Sequence, residues 1–266
     1  MSSKEIFRNA STTYYNSSLF FDRKTKEAIF TLYSWVRTVD DFIDQTEQDR
    51  EGYQNFKDDF YSSDPKNQIN IDFQKFIKFY EIKDENIRSF LDSMEMDLEP
   101  QSVYTEKQLE KYIYGSAEVI GLMICKVLNI NDKDALRSAR YLGDAMQRIN
   151  MIRDIAIDIE LGRSYILTQE LRTRHNIESI VSGTQLEEGV LEQILDYNDR
   201  IDKARKGFKY LPYRARVAVA TATDMYDYTA YKISQNPSIV MYEQIKPSRI
   251  RVLSCGVINL FKYIWV

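Results

Sequence analysis

Residues 144 to 165, DAMQRINMIRDIAIDIELGRSY, combine helical apolar spacing with an unusual set of acidic and amide side chains. At 3.6 residues per turn, Gln147, Asn150, Asp154 and Asp158 stand three, four and four apart and share one slowly drifting stripe. Met151 and Ile155 border that stripe on one side, Ile157 and Leu161 on the other. A solvated acidic face runs on into Lys, Arg and Glu, whereas apolar borders call for burial. Two carboxylates in partly desolvated surroundings repel each other unless a cation sits between them. With oxygen ligands only, that cation is expected to be Mg²⁺ or a similar hard ion.

Aspartates four apart also occur on ordinary solvated helices, so a single pair leaves both readings open. A second pair narrows the choice. VRTVDDFID, residues 36 to 44, sets Asp40 and Asp44 four apart, and Arg37, Val36, Tyr33 and Ile29 continue the same stripe backwards. Two acid-bearing helices with mixed borders, about a hundred residues apart in the chain, are what a metal site between facing helices of a bundle requires.

The rest of the chain supports an all-α reading. Its 266 residues suffice for one large core, and we expect a single domain over 1–266. Only 9 Gly and 5 Pro interrupt long stretches in which apolar residues recur at three and four. The net charge of −4, with no basic stripe among the aromatics, argues against a nucleic-acid partner. Cys125 and Cys255 make no disulfide framework and read as reduced, buried thiols of a cytoplasmic protein. With His175 as the single histidine, and no G-x-S-x-G, G-x-G-x-x-G or Walker loop, the chemistry must run on carboxylates, amides, phenols, guanidinium groups and metal.

In chain order, the N-terminal MSSKEIFRNASTTYYNSS has no signal-peptide pattern, and its Ser/Thr cluster is suited to capping a helix. Helix is expected over 26–44, loop and short helices to about 68, and two helices over 72–98 broken near EIKDEN. Glu95, Asp97 and Glu99 of SMEMDLEP define no stripe and read as solvated or structural. A helix over 104–128 starts at a Thr105 cap; the small residues Gly115, Ser116, Ala117 and Gly121 within it imply a close approach, either by another helix or by a long apolar ligand. A polar connection is expected to about 187, then helices over 187–209 and 213–234, the second carrying Tyr226, Tyr228 and Tyr231, mostly as core. The tail KPSRIRVLSCGVINLFKYIWV is too short in its apolar run for a membrane span of roughly 20 residues and reads as a helix resting on a bilayer surface.

YSWVRTVDDFID together with QRINMIRDIAIDIELGRSYI resembles the squalene/phytoene synthase family through nearly the whole chain. STTYYNSSLFF, YGSAEVIGLM, LPYRARVAVATATDMY and KPSRIRVL are most similar to its archaeal-type phytoene synthases. The resemblance implies an all-α isoprenoid-synthase bundle around a central cavity, and Mg²⁺-dependent head-to-head joining of two prenyl diphosphates, with Mn²⁺ as a possible substitute ion. It implies that Asp40 and Asp44, and Asn150, Asp154 and Asp158, hold the metal, with the four aspartates catalytic. Tyr33, Arg37, Gln147, Arg153 and Tyr226, with Ser11, Thr13 and Arg249, match positions that meet diphosphate or the allylic chain. Tyr112, Ala117 and Gly121 match the chain-binding helix. Ile157 stands where relatives often carry a further acid, and Glu118 where they often carry a small residue. The expected product is phytoene from two geranylgeranyl diphosphates, by proton loss and without NADPH. The alternatives are squalene or dehydrosqualene synthesis from farnesyl diphosphate, a class I terpene cyclase, and a non-catalytic helical scaffold that binds divalent ions.

Overall fold

The computed structural model describes residues 3–45, 47–178 and 183–264, and these contain helices and no strand. The α-helices are α1 (Ser3–Ala10), α2 (Thr12–Ser18), α3 (Arg23–Ile43), α4 (Arg50–Tyr61), α5 (Gln68–Tyr80), α6 (Asp84–Leu98), α7 (Glu106–Ile113), α8 (Val119–Val127), α9 (Lys133–Arg153), α10 (Ile155–Glu160), α11 (Gln169–His175), α12 (Thr184–Arg205), α13 (Tyr213–Gln235) and α14 (Arg249–Lys262). Caps set most of the starts. Ser11 accepts from the Tyr14 amide, Asp22 from Thr25, and Thr105 and Gln108 form a reciprocal capping box at α7.

Where the elements depart from the sequence expectation, the cause is local. The stretch after Gln45 holds a full helix, α4, capped by Asp49; its Tyr53, Phe56 and Phe60 recur every three or four residues and are buried. The polar connection after Ile166 contains α11, with the single apolar anchor Leu171, too few to register as a period. Part of that connection, residues 179–182, lies outside the described residues. Of Tyr226, Tyr228 and Tyr231 on α13 only Tyr226 is core: Tyr228 is half-buried beneath the Arg251 guanidinium, and Tyr231 is 60% exposed. Cys125 is buried, Cys255 half-buried, and both are free thiols.

Trp35 of α3 anchors one side of the core. Its ring stacks on Phe73 at 4.2 Å and meets Phe56, Phe60 and Phe90, while its Nε1 donates to Asn70 Oδ1 at 3.0 Å. This locks α3 against α4, α5 and α6 and leaves its Tyr33, Arg37 and Asp40 face turned to the interior cavity.

The small residues of the 104–128 segment pack tightly against neighbouring helices, and some of them also face the cavity. A Cβ on Gly115 would overlap the Ser89 carbonyl of α6, and one on Gly121 would stand 2.7 Å from the Ala139 carbonyl of α9. Backbones therefore approach closely on both sides. Between α7 and α8 the chain widens into a π-helical turn, Tyr114–Glu118, a distortion common at functional sites. Ser116, Ala117 and Gly121 also line the cavity. Glu118 does not; it turns to Arg140 of α9 at 2.5 Å, so this departure from the family pattern leaves the cavity wall free of its carboxylate.

Candidate active site

One cavity of about 890 Å³ runs through the bundle. It is polar where α3, α9 and α10 meet and apolar toward Ile124, Leu128, Leu142, Phe208 and Val219. Fifteen of the site positions expected from sequence line it: Ser11, Thr13, Tyr33, Arg37, Asp40, Asp44, Tyr112, Ala117, Gly121, Gln147, Asn150, Arg153, Asp154, Asp158 and Tyr226. Arg249 does not; it is exposed in the first turn of α14 and away from the cavity wall. Ile157 is 41% exposed and faces the cavity beside Asp158, so the expected apolar border on that side is an open wall, not a packed one.

The expected continuous acidic helix is broken. Asp154 ends α9 with φ −101° and ψ 11°, and α10 begins at Ile155. Asp44 likewise caps the C-terminus of α3. A carboxylate at the negative end of a helix dipole is unfavourable by roughly 0.3–1 kcal/mol, so Asp44 sits where stability alone would place Lys or Arg, whereas for Asp154 the N-terminus of α10 offsets the C-terminus of α9.

The cation between the two acidic helices is, in part, Arg163. Its Nε lies 3.1 Å from Asp158 Oδ1, its Nη2 2.9 Å from Asp44 Oδ1, and its Nη1 3.9 Å from Asp97 Oδ2. Asp154 is held separately, by Arg153 Nε at 2.7 Å and by Gln244 Nε2 at 2.6 Å, and Lys246 Nζ in turn donates to Gln244 at 2.7 Å. Asp40 has neither. No hydrogen bond or ion pair reaches its carboxylate among the described residues, because the neighbouring Arg37 is spent on Asp41 at 2.6 Å. Burial first, then the Asp44 charge, pushes the Asp40 carboxyl well above the ordinary range. Burial also lifts Asp158, to about 7, against the pull of Arg163.

Of the two readings of SMEMDLEP, solvated or structural, Asp97 takes the structural one. It is 2% exposed and accepts from Tyr112 Oη at 2.7 Å and from Tyr165 Oη, whose rings stand 4.6 Å apart. Glu95 and Glu99 are outer residues, Glu95 binding Tyr53 and Lys57. Nothing in the spacing of a polar segment distinguishes the acid that turns inward. The other residues missed from sequence are Tyr14, Arg163, Tyr165, Gln244 and Lys246; Arg163 and Tyr165 were visible as the RSY that follows the acidic stripe.

Burial lifts the Asp97 carboxyl to about 6. A carboxyl whose folded pKa lies above its unfolded value of about 3.9 binds more protons when folded, so its contribution to stability is fully present below that value and is lost as pH rises through about 6. The melting temperature of the wild-type chain relative to Asp97→Asn is therefore expected to fall between about pH 4 and pH 6 and to level off above it. Thermal melts across that range check this; a difference that does not change with pH counts against the burial of an ionising Asp97.

On the opposite wall Tyr226 Oη lies 2.7 Å from Tyr14 Oη and 3.2 Å from Asn150 Oδ1. Burial raises the pKa of Tyr14, Tyr33 and Tyr226, which keeps them as protonated donors. No three of the acids converge into a closed metal centre among the described residues. The unpartnered Asp40, with Asp44, Asn150, Asp154 and Asp158 along facing walls, is instead an open set of oxygen donors, suited to a hard divalent ion that keeps part of its shell for substrate phosphates.

Residues 7–252 match the family model described as squalene/phytoene synthase. The 15-cis-phytoene synthase of Enterobacter agglomerans is 27% identical over 246 residues, 85% of this chain and 82% of that one. The presqualene diphosphate synthase of Rhodopseudomonas palustris is 28% identical over 167 residues, 60% of each chain. Among solved structures, a ligand-bound dehydrosqualene synthase superposes with a TM-score of 0.86 at 20% identity, covering 98% of this chain and 94% of that one. A squalene synthase from Alicyclobacillus acidocaldarius gives a TM-score of 0.77 at 17% identity, covering 88% and 92%. The fold is thus that of the all-α isoprenoid synthases.

Proposed function

Since the chain belongs to the squalene/phytoene synthase family, whose prenyltransferase-type enzymes act on prenyl diphosphates, we propose that it is a phytoene synthase joining two geranylgeranyl diphosphates head to head. One observation carries the reading: the interior cavity is polar at the acidic end and apolar along the rest, with a volume near the top of the roughly 300–1,000 Å³ usual for ligand pockets. Such a shape suits two long isoprenoid chains with their diphosphates gathered at one end.

In this reading Asp40, Asp44, Asn150, Asp154 and Asp158 hold Mg²⁺, or Mn²⁺ in its place. The bound ion neutralises diphosphate charge as the group leaves. Arg37, Arg153 and Lys246 add positive charge, and the Tyr14, Tyr33 and Tyr226 hydroxyls donate hydrogen bonds from the walls nearby. The apolar half keeps water from the allylic cation until the second substrate's double bond has attacked it. Cyclopropyl diphosphate formation, its ionisation, rearrangement and proton loss follow from the family chemistry, with no nicotinamide cofactor. A hydrocarbon product favours a cytoplasmic protein working against the inner face of the membrane. Peripheral contact fits, since no described helix is long and apolar enough to cross a bilayer.

The presqualene diphosphate and dehydrosqualene synthases among the relatives and neighbours support a second reading, farnesyl diphosphate as substrate. The test is purified protein with Mg²⁺ and either substrate, with and without NADPH, and identification of the extracted products. Phytoene from geranylgeranyl diphosphate, unaffected by NADPH and lost in EDTA, is expected. Squalene formed faster from farnesyl diphosphate with NADPH would reverse the product assignment, and turnover surviving chelation would remove the metal.

A further inference from the structure

Helix α14 wears its apolar side outward. Val252, Gly256 and Asn259 form its buried arc, with Asn259 donating to Asp224 Oδ2 at 2.9 Å, whereas Ile250, Ile258 and Phe261 are 77%, 65% and 69% exposed. Val257 and Ile264 lie on the same outer arc, at half exposure. A helix that served only the core would have the opposite arrangement. Arg251 and Lys262 flank the arc on one side, both exposed. From Gln244 to Ile264 there are four basic residues and no acid, in a chain whose net charge is −4.

We propose that this face of α14 docks the protein on an anionic lipid surface, the apolar arc entering the boundary between headgroups and acyl chains and the flanking cations meeting lipid phosphates. The placement rests on the reading of the cavity as one that handles isoprenoid chains. Gly256 of α14 receives the Phe20 ring from the turn after α2, and Ser17 and Ser18 of α2 line the cavity on the other side, so one helix layer separates the cavity from the docking face. A second copy of the chain is the less favourable occupant: a two-fold antiparallel contact between α14 helices would bring Arg251 of one protomer toward Lys262 of its partner, with no acid on the helix to offset them.

The experiment is flotation of the full chain with phosphatidylcholine vesicles, with and without phosphatidylglycerol. It compares wild type, the Ile258→Asp/Phe261→Asp double variant and an Arg251→Gln/Lys262→Gln double variant. Wild type is expected to float with the anionic vesicles, the apolar variant to lose binding on the order of tenfold or more, and the charge variant to lose several-fold. Ile258 and Phe261 are exposed, so the thermal melt of the apolar variant should match wild type, whereas the charge variant also loses the Arg251 contact with the Tyr228 ring and its melt is read beside its binding. Equal flotation of wild type and the apolar variant overturns the proposal, as does no flotation of wild type. A wild-type dimer in sedimentation that the apolar variant dissociates, without lipid binding, overturns it in favour of a second copy. Product formation from detergent-dispersed prenyl diphosphates, measured on the same preparations, is expected to be unchanged in the apolar variant. Lipid binding without any coupling activity would leave the docking face standing and remove the proposed reaction, and the reverse result would do the opposite.

Discussion

Asp40→Asn, Asp44→Asn, Asp154→Asn and Asp158→Asn are each expected to lower turnover on the order of a hundredfold or more while the chain stays folded. Each change keeps the side-chain volume and removes one negative charge from the polar end of the cavity, where leaving-group charge must be balanced as it develops. Asp40→Asn is the most informative of the four. Among the described residues no hydrogen bond or ion pair reaches its carboxylate and Arg37 acts on it only at longer range, so relief of a desolvated charge should leave the variant at least as stable as wild type. Single-turnover rates with Mg²⁺ and prenyl diphosphate, set beside thermal melts, separate the two effects. Near-normal rates in both Asp40→Asn and Asp44→Asn would remove these acids from the chemistry.

The second large effect is on stability. Arg163→Leu removes a guanidinium that touches Asp44, Asp158 and Asp97 together, and among the described residues it leaves Asp158 and Asp97, 7% and 2% exposed, without a paired cation. Breaking a buried pair from one side costs about 3–5 kcal/mol. The Asp44 contact adds least, because that carboxylate is 39% exposed and water relieves it. In a chain of this size the loss corresponds to a fall in melting temperature on the order of 10 °C. Arg163→Lys should fall between, keeping the charge but losing the planar fork that reaches several carboxylates at once. Urea denaturation measures the difference; a cost for Arg163→Leu below about 1 kcal/mol would mean that the acids are not held by this residue.

The two acidic stripes were legible because helical spacing is a local property. Four residues separate Asp40 from Asp44 and Asp154 from Asp158, and apolar neighbours on the same turns forced both stripes inward whatever the rest of the chain did. The close approach at 115–121 had a local trace too, in the small residues Gly115, Ala117 and Gly121, though not one that separated packing from ligand contact or announced the π-turn. Asp97 had none. It shares its segment with Glu95 and Glu99, and which of the three is buried depends on how α6 is rotated against α7, where Ser93 Oγ donates to the Tyr112 carbonyl at 3.1 Å.

By itself, then, the order of residues determined the helical class, the two aspartate stripes and the aromatic and basic companions of the first, all set by interactions within a few turns. Only the tertiary structure decided what stands between the stripes. Arg163 reaches Asp44 across 119 positions of chain, Tyr226 meets Tyr14 across 212, and Gln244 reaches Asp154 across 90. Such pairings follow from how helices pack, and helix packing depends on the summed fit of many side chains such as Trp35 against Phe73, not on any spacing that a stretch of sequence carries. The outward apolar face of α14 was decided in the same way: the spacing of Ile250, Val257, Ile258 and Phe261 defines one arc without saying which way it faces, and the Phe20 ring seated on Gly256 covers the other side.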